Sequence, residues 1–216
     1  MSMIFRNRKD AALQLAAHLQ KYKEQHPLVL GIPRGGIVIA SILAEELHGD
    51  LDVILTRKLR TPGNPELAMG SIDEEGRVYL NQAVVSVLRI PDKMIEEERE
   101  KQMAVIQARA ESYRRIHPKI PLHGRITIVT DDGIATGSTM RAAIEAARMQ
   151  APGKLIMALP VGPAEQVEEL KDSVDEVICL LTPEDFLAVG QFYETFEQVE
   201  DDDVERILLK FSQSPI

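Results

Sequence analysis

Between Arg125 and Ala147 the sequence changes its period within a few positions, and few folds accommodate such a change. Ile126 to Thr130 is a short β-branched run, the mark of a buried strand. It ends in two adjacent carboxylates, Asp131 and Asp132. A turn of small residues follows (Gly133, Ala135, Thr136, Gly137, Ser138, Thr139), and Ala142, Ala143, Ala146 and Ala147 then recur at helical spacing. The order is strand, acid pair, small loop, helix start. A helix start presents unpaired backbone N–H groups at the positive end of its dipole, which suits a phosphate. The acids one turn away suit neutral hydroxyl groups or a metal ion. A sugar phosphate satisfies both halves; an ordinary β–α turn with a solvated acid pair is the alternative. No Lys follows Gly137, so this is not a Walker loop.

The same strand–turn–helix order occurs earlier. Leu28 to Ile32 is a compact apolar strand that runs into Gly31-Ile-Pro-Arg-Gly-Gly36, and Ile37, Ile39, Ala40, Leu43 and Leu47 line the helix after it. These glycines lack the G-x-G-x-x-G spacing of a dinucleotide fingerprint. Arg34 puts a cation at the strand's carboxyl end. A third strand, Leu51 to Thr56, is followed by Arg57, Lys58 and Arg60, and then by the turn cluster Thr61-Pro-Gly-Asn-Pro65. Leu67 to Ile72 and Arg77 to Leu80 read as the arms of a hairpin around Asp73 to Gly76. Downstream, 154–160 and 176–181 read as strands, with a helix over 165–171 between them.

Strands thus alternate with helices from Leu28 to Leu181, the pattern of a mostly parallel sheet flanked by helices. Ligands on such sheets bind outside the strand carboxyl ends. The Arg34, Lys58 and Asp131-Asp132 segments all fall at such ends, so three separate stretches converge on one edge. Outside this core, 7–22 reads as a helix capped by Asn7, and 91–115 as a long, highly charged one that lies on the outside or packs across a homodimer contact. Thr182-Pro-Glu-Asp185 has the composition of a helix start, and 202–210 reads as a terminal helix.

Bulk properties restrict the function. The 216 residues, 44% of them hydrophobic, suffice for one domain with a full core. A net charge of −9 argues against a nucleic-acid-binding face. The single cysteine, Cys179, lies in the apolar run Val177 to Leu181 and reads as a buried reduced thiol, which with a polar, charged N-terminus lacking a signal-peptide pattern points to a cytoplasmic setting. The five histidines show no paired spacing for zinc, and no apolar run approaches a membrane span.

The stretch from Ile126 to Thr139 resembles the thirteen-residue motif with which type I phosphoribosyltransferases bind phosphoribosyl pyrophosphate (PRPP): four apolar residues, two acids and a small Thr-Gly loop. Gly-Ile-Pro-Arg-Gly-Gly, Arg-Lys-Leu and Pro-Gly-Asn-Pro-Glu-Leu-Ala-Met-Gly are similar to a subgroup whose acceptor is unassigned. The resemblance, taken over Leu28 to Leu181, implies a type I fold with a flexible loop or hairpin and a small variable hood, drawn from 86–120, from 182–216 or from both, within a single domain over 1–216 and a core near 26–181. It implies that Asp131 and Asp132 hold the ribose hydroxyls, that Ala135, Thr136, Gly137, Ser138 and Thr139 cradle the 5-phosphate, and that Pro33, Arg34, Gly35 and Gly36 form the pyrophosphate loop, with a cis peptide between Pro33 and Arg34. Lys58 is the matching catalytic cation, contacting the pyrophosphate, or else a solvated strand end, on a segment from about Lys58 to Met69 expected to be mobile. Magnesium arrives with PRPP, with no direct protein ligands implied. The substrates implied are PRPP and a nitrogenous base, without nucleic acid or membrane. The base stacks on Phe186, or on Tyr193; both aromatics can instead merely pack the C-terminal segment. Relatives acting on 6-oxopurines begin the phosphate loop with an Asp where this chain has Ala135. A non-catalytic PRPP sensor of the same fold is the alternative reading.

Overall fold

The computed structural model describes residues 4–213, apart from the side chains at 65 and 66. Its centre is a five-stranded, all-parallel sheet in the order β2-β1-β6-β7-β8. The strands are β1 (Leu28–Gly31), β2 (Asp50–Val53), β6 (Ile126–Thr130), β7 (Lys154–Val161) and β8 (Glu176–Leu181). Alternate residues of each strand point to opposite faces, and both faces are apolar, as a sheet covered on two sides requires. Val29, Leu51, Val53, Ile128, Ile156 and Ala158 join the core beneath α1 (Arg8–Leu19), α2 (Gly36–Leu47) and α7 (Asp201–Gln213). Leu28, Leu30, Val129, Leu155, Met157 and Leu159 face α5 (Ser138–Arg148) and α6 (Ala164–Lys171). The core helices begin and end near the expected positions, and the Asn7 side chain accepts from the Asp10 amide at 3.0 Å as the cap of α1.

From β1 the chain steps outward to β2; from β6 it steps the other way to β7 and β8. The order therefore reverses between β1 and β6, which pair in register from Leu28↔Thr127 to Gly31↔Thr130. The carboxyl ends of these two strands lie side by side, and both loops singled out in the sequence leave from them.

A second, antiparallel sheet stands beside the first: β3 (Thr56–Thr61), β4 (Asn64–Asp73) and β5 (Val78–Leu80). The hairpin around Asp73 to Gly76 is present, with Gly76 at φ +79°. The segment from about Lys58 to Met69, expected to be mobile, lies mostly in the paired strands β3 and β4. Leu59 and Met69 are fully buried and anchor both arms, whereas Arg60, Pro62, Gly63, Asn64 and Leu67 are exposed. The sequence pattern runs Thr56 into the third core strand, whereas the parallel strand stops at Val53 and Thr56 opens the antiparallel sheet.

The small sheet is continued by α3 (Gln82–Leu88), which periodicity did not reveal, and covered by α4 (Asp92–Ile116). The polar helix α4 lies on β3, β4 and α7, burying Ile95, Gln102, Ile106 and Tyr113. Arg114 ties it to the core by bonds to Asp52 (2.6 Å) and Glu74 (2.8 Å). Thr182-Pro-Glu-Asp185, expected to start a helix, does not: this stretch is irregular and leads into a short 3-10 turn at Val189–Phe192. Cap and proline favour a helix there, but Leu187 is 92% exposed and no apolar face forms to hold one. Cys179 is partly rather than fully buried; that burial pushes its thiol up to about 11.

Candidate active site

The loop after β1 touches the loop after β6. The Ile32 amide donates to Thr130 O at 3.0 Å, and Gly36 packs against Asp131 so closely that a Cβ there would lie 2.9 Å from Asp131 Cα and from Thr130 O. At Gly35 a Cβ would fall 2.0 Å from Asp132 Oδ2. Only glycine lets the backbone approach to this distance. The Pro33–Arg34 peptide is cis, as the resemblance implies.

Asp131 and Asp132 stand together at the mouth of this contact. The Asp132 amide donates to Asp131 Oδ1 at 2.8 Å. Burial, and then the neighbouring Asp132 charge, push the Asp131 carboxyl well above the usual range; the Asp132 amide and Arg8 oppose that push. Asp132 is also raised by burial, with Arg8 opposing it first. Arg8 comes from the first turn of α1. Its Nη2 lies 2.7 Å and its Nε 2.8 Å from Asp132 Oδ2. Nη1 donates to Glu197 O at 2.7 Å, and the guanidinium lies 3.9 Å from the centroid of Phe196.

The loop opening α5 has the geometry expected of an anion cradle. Gly137 takes the left-handed conformation, φ +68°, and no side chain caps the helix. Ala135, Thr136 and Thr139 are exposed, and the hydroxyls of Thr136 and Ser138 lie 3.1 Å apart. The first-turn amides of α5 therefore face outward with the dipole behind them.

The two cations expected from the sequence lie in different clefts. Arg34 shares a cleft of about 550 Å³ with Arg8, Gly35, Asp132 and Phe196, and its guanidinium bonds the Glu200 carboxylate. Lys58, on β3, lines a second cleft of about 430 Å³ with Thr136, Ser138, Arg141 and Tyr79. The structure thus sets Lys58 beside the helix-start loop rather than beside Arg34. Tyr193 is buried, its ring packed between Phe5 at 5.4 Å and Phe196 at 5.0 Å, and its hydroxyl donates to Asp132 O at 2.6 Å. Phe186 is half-buried and stacks on Phe192 at 5.3 Å.

Sequence reasoning missed Arg8 and Phe196, because they reach the site from outside the strand–turn–helix repeats. Among the described residues no group of three His, Cys, Asp or Glu side chains could hold a metal, and no helix is long and apolar enough to cross a membrane.

The fold and the site together define the class: a parallel α/β protein whose glycine turn and acid pair meet at the reversal of strand order, with an uncapped helix start following the acids. The chain belongs to the phosphoribosyl transferase domain family, whose model matches residues 2–197. That span takes in α1 and the segment through Phe196, beyond the limits at Leu28 and Leu181 drawn from the motifs. Two Mycobacterium tuberculosis proteins named "Putative phosphoribosyl transferase", from strains CDC 1551 / Oshkosh and ATCC 25618 / H37Rv, are each 43% identical to this chain over 201 residues. The match takes in 93% of this chain and 45% of either relative, so the chain spans about half the length of the curated relatives it matches. The crystal structure of TT1426 from Thermus thermophilus superposes with a TM-score of 0.91 at 42% identity, over 97% of this chain and 99% of that one.

Proposed function

We propose that this protein transfers the 5-phosphoribosyl group of PRPP to a nitrogenous base and releases pyrophosphate, as a cytoplasmic enzyme of nucleotide salvage or related metabolism. The carrying observation is the contact of the Arg34 turn with the acid pair where the strand order reverses, with the uncapped start of α5 following the acids in the chain. In the reaction the bond from the anomeric carbon to the pyrophosphate oxygen breaks, and a bond from that carbon to a ring nitrogen forms. Pyrophosphate leaves with the bonding pair, and the proton on the attacking ring nitrogen passes to solvent.

Each group has a role that its chemistry permits. The amides from Ala135 to Thr139 take the 5-phosphate. Asp131 and Asp132 accept from the ribose hydroxyls and hold the anomeric carbon in line with the base, an orientation effect. Arg34 and the amides of Gly35 and Gly36 offset the charge on the departing pyrophosphate. Lys58 serves the phosphates of PRPP from the hairpin side. The oxygen donors here suit magnesium, which supplies further charge neutralisation when bound with PRPP. Asp132 already has one oxygen on Arg8 and Asp131 has one on an amide, so the acids would hold the ion through water rather than as a full cage. Phe186 remains the candidate for stacking the base; Tyr193, with its ring enclosed, would act through Asp132.

The test is PRPP-dependent release of pyrophosphate with magnesium across a panel of nitrogenous bases. Release with one class of base is expected. Tight PRPP binding with no release for any base would favour the sensor reading instead. Within that panel, hypoxanthine and guanine should be poor acceptors, because Ala135 can neither donate nor accept a proton. Turnover of either at a rate comparable with the best base would remove that role from position 135.

A further inference from the structure

We propose that Arg8 is a positioning residue of this site, which together with Phe196 holds the Asp132 carboxylate in one orientation for a substrate hydroxyl. The inference rests on Asp132 being a sugar-binding acid. Three observations carry it. First, Nε and Nη2 of Arg8 both bond the same oxygen, Asp132 Oδ2, at 2.8 and 2.7 Å. Gly35 packs against that oxygen too. Oδ2 is therefore enclosed by protein, and Oδ1 is the oxygen left to a ligand. Second, the guanidinium is fixed on its other sides, by Glu197 O at 2.7 Å and by the Phe196 ring at 3.9 Å. A planar, forked cation held in this way fixes the plane of its partner, which a lysine would not do. Third, the rest of Asp132 is held as well: its amide donates to Asp131 Oδ1, and its carbonyl accepts from Tyr193.

A purely structural role accounts for less. Helix α1 is already anchored by Ala11, Ala12, Leu15, Ala16 and Leu19, all buried. Both side chains of the pair are shielded, Arg8 11% and Asp132 13% exposed. Compared with an apolar pair, an enclosed ion pair contributes little net stability, because desolvating both charges offsets their attraction. Removing Arg8 alone leaves the Asp132 charge unpaired, so melting temperature is measured beside affinity. Arg8 also opens into the cleft that holds Arg34.

The experiment is a double-mutant cycle read by calorimetric binding of PRPP with magnesium, titrated to millimolar ligand, with the melting temperature of every variant measured alongside. Arg8→Gln should weaken PRPP about tenfold, and Arg8→Lys should recover only part of that loss. In an Asp132→Asn background Arg8→Gln should add nothing. Wild-type affinity in Arg8→Gln, or the same further loss in the Asp132→Asn background, would overturn the inference while leaving the proposed function intact. Should Arg8→Gln not fold, Arg8→Lys takes its place in the cycle and is judged by the same two outcomes. Absence of PRPP binding by the wild-type protein would instead reject the proposed function, and this inference with it.

Discussion

At the scale of single residues, the site is held against its own stability. The Asp131 carboxyl is raised above its ordinary value, chiefly by burial and next by Asp132. A carboxyl with a raised folded-state pKa destabilises the fold when ionised; the penalty is present above that pKa and fades as pH falls through it. Asp131→Asn should therefore raise the melting temperature near neutral pH, by roughly 2–8 °C for a gain of about 1–2 kcal/mol. The gain should shrink in acid, where the wild-type group is also neutral, and PRPP affinity should collapse at the same time. Calorimetric melting at several pH values checks the sign; a lower melting temperature for the variant at neutral pH would refute it. Lys58 is the opposite case, a partly exposed cation on a strand face in the second cleft. Lys58→Ala should cut turnover by about 100-fold while moving stability by no more than about 0.5 kcal/mol. Parallel losses of rate and melting temperature would reject its catalytic role.

At the scale of elements, the hairpin of β3 and β4 decides what can move. Its arms are pinned by Leu59 and Met69, both fully buried, so closure over a substrate must come from the turn near Gly63 or from the hairpin as a unit. Amide hydrogen exchange should show Leu59 and Met69 protected without ligand, with new protection on adding PRPP and magnesium confined to the turn. Fast exchange at Leu59 and Met69 in the free protein would restore the picture of a long mobile loop. Helix α5 shows how a small-residue loop acquires chemistry: a left-handed Gly137 turns the chain, and the absence of a capping side chain leaves the first-turn amides for a ligand.

At the scale of the molecule, α1 and the segment between β8 and α7 both close on the site. Helix α1 supplies Arg8, and the segment through Phe196 and Glu200 crosses the Arg34 cleft before α7 returns to the core. The family match stops at residue 197, yet α7 buries Val204 and Leu208 completely against α2, α4 and β2. Two such side chains contribute about 3–6 kcal/mol as an upper estimate. The Asp201 carboxylate also accepts from the buried Tyr113 hydroxyl, whose own titration is pushed up chiefly by burial. A chain cut after Val199 should melt roughly 6–24 °C lower or fail to fold. A melting temperature within a few degrees of the full chain would show α7 to be dispensable.

The strand–turn–helix repeats, the parallel sheet and the two loops that leave β1 and β6 were legible in the sequence because each rests on local physics. Period, β-branching, glycine turns and helix starts are written within windows of about twenty residues. The acid pair and the Arg34 turn could be read for the same reason: each sits where one strand ends. What the windows could not show was which strands become neighbours, and so how the loops meet. Lys58 reads as a strand-end cation, yet the antiparallel pairing of Thr56 to Thr61 with Asn64 to Asp73 carries it to the helix-start loop and away from Arg34. Thr182 to Asp185 carries local helix signals that no packed face supports. Arg8 lies 124 positions from Asp132 and looks like any charged residue in the first turn of a helix. Only the packing of α1 against the sheet brings the two together, because an ion pair across that distance leaves no trace in spacing or period.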